Sequence, residues 1–165
     1  MEESLNIREN MEENVNDCGD TEESLNICRY IEDVFNIEKP DFRTMSPLNY
    51  AFIGDCIFDL VVRTIYVSKG TTSVNKLHKN CSAHVRAGAQ MQIFKLIEEE
   101  LSEEELLIAK RGRNAKIHSS AKNATLREYR YATGMETMVG YLYMKGEMKR
   151  VVELMKMGIE RFDKI

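Results

Sequence analysis

Two acidic residues stand where acids are costly. Asp55 lies within Ser46 to Gly70, S-P-L-N-Y-A-F-I-G-D-C-I-F-D-L-V-V-R-T-I-Y-V-S-K-G, and Glu136 is the only charged residue of Y-A-T-G-M-E-T-M-V-G-Y-L-Y-M at 131 to 144. A buried ionised carboxylate must be paired, hydrogen-bonded or bound to a metal. Two such carboxylates in one cleft would repel, which raises one pKa or recruits a cation. Magnesium suits that place, because it takes oxygen ligands, keeps several waters and bridges to phosphate. An ion so held can activate a water and neutralise charge developing on a phosphodiester. The alternative is structural pairing with arginines such as Arg63.

The first acid sits on a helix with clear end signals. Ser46 suits the N-cap, Pro47 the first helical position, and Gly70 the left-handed turn that ends it. Nearly every position between is apolar, the pattern of a helix buried on most of its circumference, with Asp55 buried and Cys56 a small core residue. Thr125-x-x-Glu128 caps the helix that carries Glu136. Small residues flank both acids: Ala51 lies one turn before Asp55 with Gly54 beside it, and Ala132 and Gly140 lie one turn either side of Glu136. Residues four apart share a helical face, so two helices crossing at these faces would bring the carboxylates together. The sequence alone does not show that they cross.

Between these helices, Thr71 to Ser73 read as a turn. A helical region then runs from Val74 through Leu77, Cys81, Val85, Ala89, Ile93, Leu96 and Ile97, with a break near Ser82 or Gly88. His78 and His84 are six apart, hence on different faces; they read as surface or boundary residues rather than a joint metal site. Ser102-x-x-Glu105 is a capping box for a short helix ending near Arg111. No stretch alternates convincingly, so the fold class is all-α.

Charge is distributed unevenly along the 165 residues. Residues 1 to 41 hold 13 of the 27 acids and only Arg8, Arg29 and Lys39 among the bases, so the formal net of −4 hides a body of about +6. E-E-S-L-N-I at 2 to 7 recurs at 22 to 27, with E-E-N-V-N-D at 12 to 17 between them. A ten-residue spacing fits no coiled coil, so residues 1 to 40 read as a mobile acidic leader, and 41 to 165 as one domain. The competing reading is that the leader lies over the basic body and damps its binding of a polyanionic partner until displaced. Tyr30 to Ile37 reads as a short helix joining the two. With no long apolar run and an acidic N-terminus, neither a membrane span nor a secretory signal is expected, which points to a soluble cytoplasmic protein. Cysteines 18, 28, 56 and 81 have no zinc spacing.

K-R-G-R-N-A-K at 110 to 116 is the densest basic run, and Lys122, Arg127 and Arg130 continue the charge. Four cations around a glycine read as a flexible positive element suited to phosphate oxygens, with Lys110, Arg111, Arg113 and Lys116 as its contacts. A solvated loop whose arginines satisfy a helix C-terminus is the alternative.

L-N-Y-A-F-I-G-D-C-I-F-D-L-V-V-R, K-R-G-R-N-A-K and Y-R-Y-A-T-G-M-E-T-M-V-G-Y-L-Y together resemble mini-ribonuclease III, the short bacterial branch of the ribonuclease III family, from about Met45 to the region of Met157. The resemblance implies an all-helical endonuclease domain, a homodimer with two active sites along one duplex, magnesium dependence and cleavage of double-stranded RNA. The usual assignment in that branch is trimming of the large-subunit (23S) ribosomal RNA precursor. Asp55 and Glu136 match the family's acidic motifs and are the expected catalytic and metal-holding residues, and Asp59 is a further acid one turn on. Where full-length ribonuclease III enzymes carry other acids, this chain has Leu48, Ala51 and Thr133. That looks like the mini branch and leaves open the number of metal ions and their remaining ligands. With the chain ending at Ile165, no double-stranded RNA-binding domain is expected to follow, and recognition falls to the dimer surface and the 110 to 130 segment. A non-catalytic RNA-binding ribosome-assembly factor of the same fold, and a helical protein-interaction module, are the alternatives.

Overall fold

The computed structural model describes residues 26–38, 41–42, 44–70, 72–116 and 124–165. Among these it contains α-helices, one short 3-10 turn and no strand, in line with the all-α expectation. Residues 1–25, with most of the ten-residue repeats, lie outside the described residues, as does Lys122.

Helix α1, Ile27–Val34, begins three residues earlier than expected, capped by the Asn26 side chain, which accepts the Arg29 N–H at 3.0 Å. It buries Cys28 against the Met144 sulfur, 3.5 Å away. Helix α2, Pro47–Ser68, starts where predicted, with Ser46 Oγ accepting the Leu48 N–H at 3.3 Å; Gly70 takes φ +117°, the left-handed conformation that glycine tolerates best.

The expected near-complete burial of α2 is not observed. Tyr50, Ala51, Gly54, Ile57, Phe58, Val61 and Val62 face the core, but Phe52 is 79% exposed, Leu60 54% and Val67 62%, and Cys56 is exposed with them rather than a core residue. Apolar composition records a preference for cover without saying which element supplies it.

Helices α3, Val74–Val85, and α4, Ala87–Ile97, are separated by Arg86 in an extended conformation, between the two break points considered. His84 is neither the surface nor the boundary residue expected. At 4% exposure it sits between α2 and the end of the chain, with Nε2 2.7 Å from the Asp163 carboxylate and Nδ1 3.2 Å from the Tyr66 hydroxyl. A polar ring can be buried when both nitrogens find partners.

After the 3-10 turn Glu98–Glu100 comes α5, Glu103–Arg113, with the Ser102–Glu105 capping box in place. It runs past Arg111, so K-R-G-R is helical rather than flexible, and the backbone leaves the helix only at Asn114. Gly112 serves close packing there, since a Cβ would collide with the Thr137 side chain. Helix α6, Leu126–Met144, carries the second capping box and forms the axis of the domain. From Ala132 to Leu142 every residue but Glu136 is buried, and the helix packs on α2, α5, α4 and α7, Met148–Phe162. Phe58, Ile93, Ile97, Met135, Met138, Leu154 and Met155 fill the core around it.

Candidate active site

The two acids are brought together by glycines. At the α2–α6 crossing a Cβ on Gly54 would run into the Glu136 carbonyl, and one on Gly140 into the Tyr50 carbonyl, so the backbones are in direct contact. No residue larger than glycine fits either place without the helices separating. Asp55 follows Gly54 in sequence, so this contact sets it beside Glu136.

Asp55 itself is not buried as expected; it lies on the open side of α2. Its carboxyl is still partly desolvated, which raises its pKa, and the neighbouring Asp59 adds to the rise. Glu136 lies deeper. Burial first, then the charge of Asp55, lift its carboxyl to about 7, while the Gln90 amide restrains the rise. Each carboxylate therefore senses a neighbouring acid. Arg63, the candidate structural partner, is committed elsewhere, with Nε 2.6 Å from Asp59 Oδ2. Among the described residues neither Asp55 nor Glu136 has a cation at ion-pair distance. Asp59 Oδ1 is buried without a hydrogen-bond partner among the described residues.

No three His, Cys, Asp or Glu side chains of the described residues converge as a ready cage for a metal. Two oxygen donors with one side open instead fit a hard divalent cation that retains water and reaches toward phosphate, and Asp55 and Glu136 are the residues that could hold it.

The basic residues gather on the neighbouring ends of α5 and α6. Lys110, Arg111 and Arg113 occupy the last turn of α5, Lys116 follows it, and Arg127 and Arg130 lie in the first turns of α6. Arg111 is partly structural, donating to the Met45 carbonyl at 3.4 Å. Arg113 lies 5.0 Å and Arg127 6.0 Å from the Tyr131 ring centroid, with Lys95 of α4 at 5.4 Å. Arg113, Asn114, Leu126, Arg127, Arg130 and Tyr131 line an open cavity of about 400 Å³. None of these cations has a carboxylate at ion-pair distance among the described residues. Cations stacked on an aromatic ring without counter-charge form a surface prepared for an anion.

Sequence reasoning missed Tyr131 as the centre of this cluster, and it missed Gln90. The latter had a signal: it lies three, four and seven residues before Ile93, Phe94 and Ile97, so a polar residue falls on the buried stripe of α4.

Comparison with known proteins identifies the family of the fold. Residues 48–147 match the family model for the ribonuclease III domain. The chain is 45% identical over 126 residues to the mini-ribonuclease 3 of Clostridium tetani, covering 76% of this chain and 83% of that one. It is 40% identical over 124 residues to the mini-ribonuclease 3 of a Thermoanaerobacter species, covering 75% and 87%. A crystal structure of a Fusobacterium nucleatum protein superposes with a TM-score of 0.66 at 32% identity, covering 73% of this chain and 96% of that one.

Proposed function

Because this chain belongs to the ribonuclease III family, in its mini-ribonuclease III branch, and is thus an endoribonuclease of that type, we propose that it cleaves double-stranded RNA with magnesium held by Asp55 and Glu136. The observation that carries this reading is the pair itself: two carboxylates drawn together by the Gly54–Gly140 contact, with no cation of the described residues at ion-pair distance from either. A fold gains nothing from that repulsion, whereas a cation would relieve it. Magnesium bound there supplies charge neutralisation at the phosphodiester and lowers the pKa of water. Asp55 and Glu136 orient it. Arg113, Arg127 and Arg130, with Lys110, Arg111, Lys116 and Lys122, bind the flanking phosphates and hold the duplex by its backbone. No histidine is needed as general base; His84 is buried against Asp163.

A homodimer suits the exposed stripe of Phe52, Cys56, Leu60 and Val67 along α2, which would bury against a second copy and set two acid pairs along one duplex. No helix among the described residues is long and apolar enough to cross a membrane. We place the enzyme in the cytoplasm, with the 23S ribosomal RNA precursor, implied by the resemblance to the mini branch, as the first substrate to try. Incubation with a labelled RNA duplex, with and without magnesium, tests the reading. Cleavage only with magnesium supports it. A shifted but intact duplex would favour the non-catalytic assembly factor, and no interaction at all would favour a protein-interaction module.

A further inference from the structure

Gln90 is 1% exposed, and neither its Nε2 nor its Oε1 has a hydrogen-bond partner among the described residues. Its backbone is satisfied, the N–H donating to the Arg86 carbonyl at 3.0 Å, so only the side chain is orphaned. Leaving a buried polar atom unpaired is destabilising, and an apolar side chain of the same length would avoid that cost. Around it the same helix buries Ala89, Ile93, Phe94 and Ile97, so an amide is out of place by the logic of packing alone. What lies beside it is Glu136. The amide is near enough to stabilise that carboxylate, although the approach falls short of a formed hydrogen bond.

A carboxamide has the two functions an acid site lacks. Its N–H group can fix one carboxylate oxygen so that the other faces a cation, and its oxygen can accept from a water that carboxylates alone would orient poorly. We propose that Gln90 is a positioning residue of the acid site, its Nε2 donating to the Glu136 carboxylate and its Oε1 accepting from a water there when a divalent cation is bound. This rests on the reading of Asp55 and Glu136 as the cation-holding pair. It assigns the unpaired amide a task in the loaded state, and it makes stability and function respond in opposite directions.

The test uses Gln90→Met and Gln90→Leu, two apolar replacements of different shape, in the full chain without RNA. Mn²⁺ binding is followed by electron paramagnetic resonance, and thermal unfolding is measured in EDTA. The expected result is Mn²⁺ affinity weakened about 10- to 100-fold, the range for residues that orient a ligand, with a melting temperature equal to or above that of the wild type in at least one variant. Wild-type Mn²⁺ affinity in a folded variant would overturn the proposal, and so would destabilisation of both variants with affinity unchanged, which would mark a packing role. Glu136→Gln separates the two levels. If it and the wild type bind Mn²⁺ alike, the two-acid reading falls and Gln90's role with it; if they differ while Gln90→Met matches wild type, only the role of Gln90 falls.

Discussion

Glu105 and Glu136 are both carboxylates drawn into the protein, and they are treated in opposite ways. Glu105, 5% exposed, accepts the Ser102 N–H at 2.7 Å and the Arg150 guanidinium at 2.8 and 2.9 Å, and these partners hold its pKa below the usual value. It closes a helix cap and ties α5 to α7. Glu136 has no cation at ion-pair distance among the described residues, faces Asp55, and is pushed up to about 7. A carboxylate buried for structure brings its partners with it, and Glu136 departs from that rule in the way the proposed cation site requires. The same contrast separates Arg150, committed to Glu105, from Arg113 and Arg127, which rest on Tyr131 with no acid of the described residues at ion-pair distance.

The largest effect should come from removing charge at the unpaired acids. Glu136→Gln or Asp55→Asn is expected to reduce cleavage of a duplex on the order of a thousandfold, since in the proposed mechanism several kcal/mol of charge stabilisation depend on the cation between them. Binding of the intact duplex, read by gel shift, should change little. The metal-free Glu136→Gln protein should be at least as stable as the wild type. Full magnesium-dependent activity in either variant would remove the distinction between the two kinds of acid.

Breaking the structural pair should do the reverse. Arg150→Ala leaves Glu105 buried with its cation gone, and is expected to lower unfolding free energy by about 3 kcal/mol while single-turnover cleavage at low temperature stays within a few-fold of wild type. Urea unfolding and cleavage rates measured on the same preparation decide it. A stable protein with lost cleavage would mean that Glu105 and Arg150 belong to the catalytic apparatus.

Much of this contrast was legible before the fold was known. Asp55 and Glu136 were conspicuous because each interrupts an apolar run, and Gly54 and Gly140 marked faces where backbones could touch. Both capping boxes were local patterns that needed no tertiary knowledge. What stayed hidden depended on which element covers which face. The outward stripe of Phe52, Leu60 and Val67 looks like core by composition, His84 looks like surface until Tyr66 and Asp163 arrive, and Gly112 looks like a hinge until Thr137 is set against it. The partner of Glu105, 45 residues away, is invisible to any window along the chain.

The two acids should also give pH dependences of opposite sign. Glu136 has a folded pKa near 7, above its unfolded value of about 4.5, so the folded form binds more protons between them. Metal-free stability should therefore fall as pH rises from about 4.5 to about 7, by no more than about 3 kcal/mol, and level off above. Glu105, with its pKa depressed, contributes stability above about 4.5 that is lost as pH drops through its folded pKa. Urea unfolding in EDTA, taken as wild type minus Glu136→Gln, isolates the first slope. A difference that does not vary between pH 5 and 7 would show that burial and Asp55 do not perturb Glu136.

The smallest effect separates committed from uncommitted cations. Arg113→Gln and Arg127→Gln remove charges that rest on Tyr131 with no carboxylate of the described residues to release, so they should cost little stability and weaken duplex binding by about 1 kcal/mol each. Each replacement should also flatten the slope of log affinity against log salt by about one, because one fewer counterion is released from the RNA backbone. Arg161→Gln provides the matched control: its guanidinium is held 2.6 Å from Glu100, so its loss should leave the salt slope unchanged. Equal slopes for all three variants would return the Tyr131 cluster to ordinary solvated charge. A flatter slope only for Arg113 and Arg127 would extend the distinction drawn between Glu105 and Glu136 to the positive side of the site, where residues without internal partners are the ones turned toward substrate.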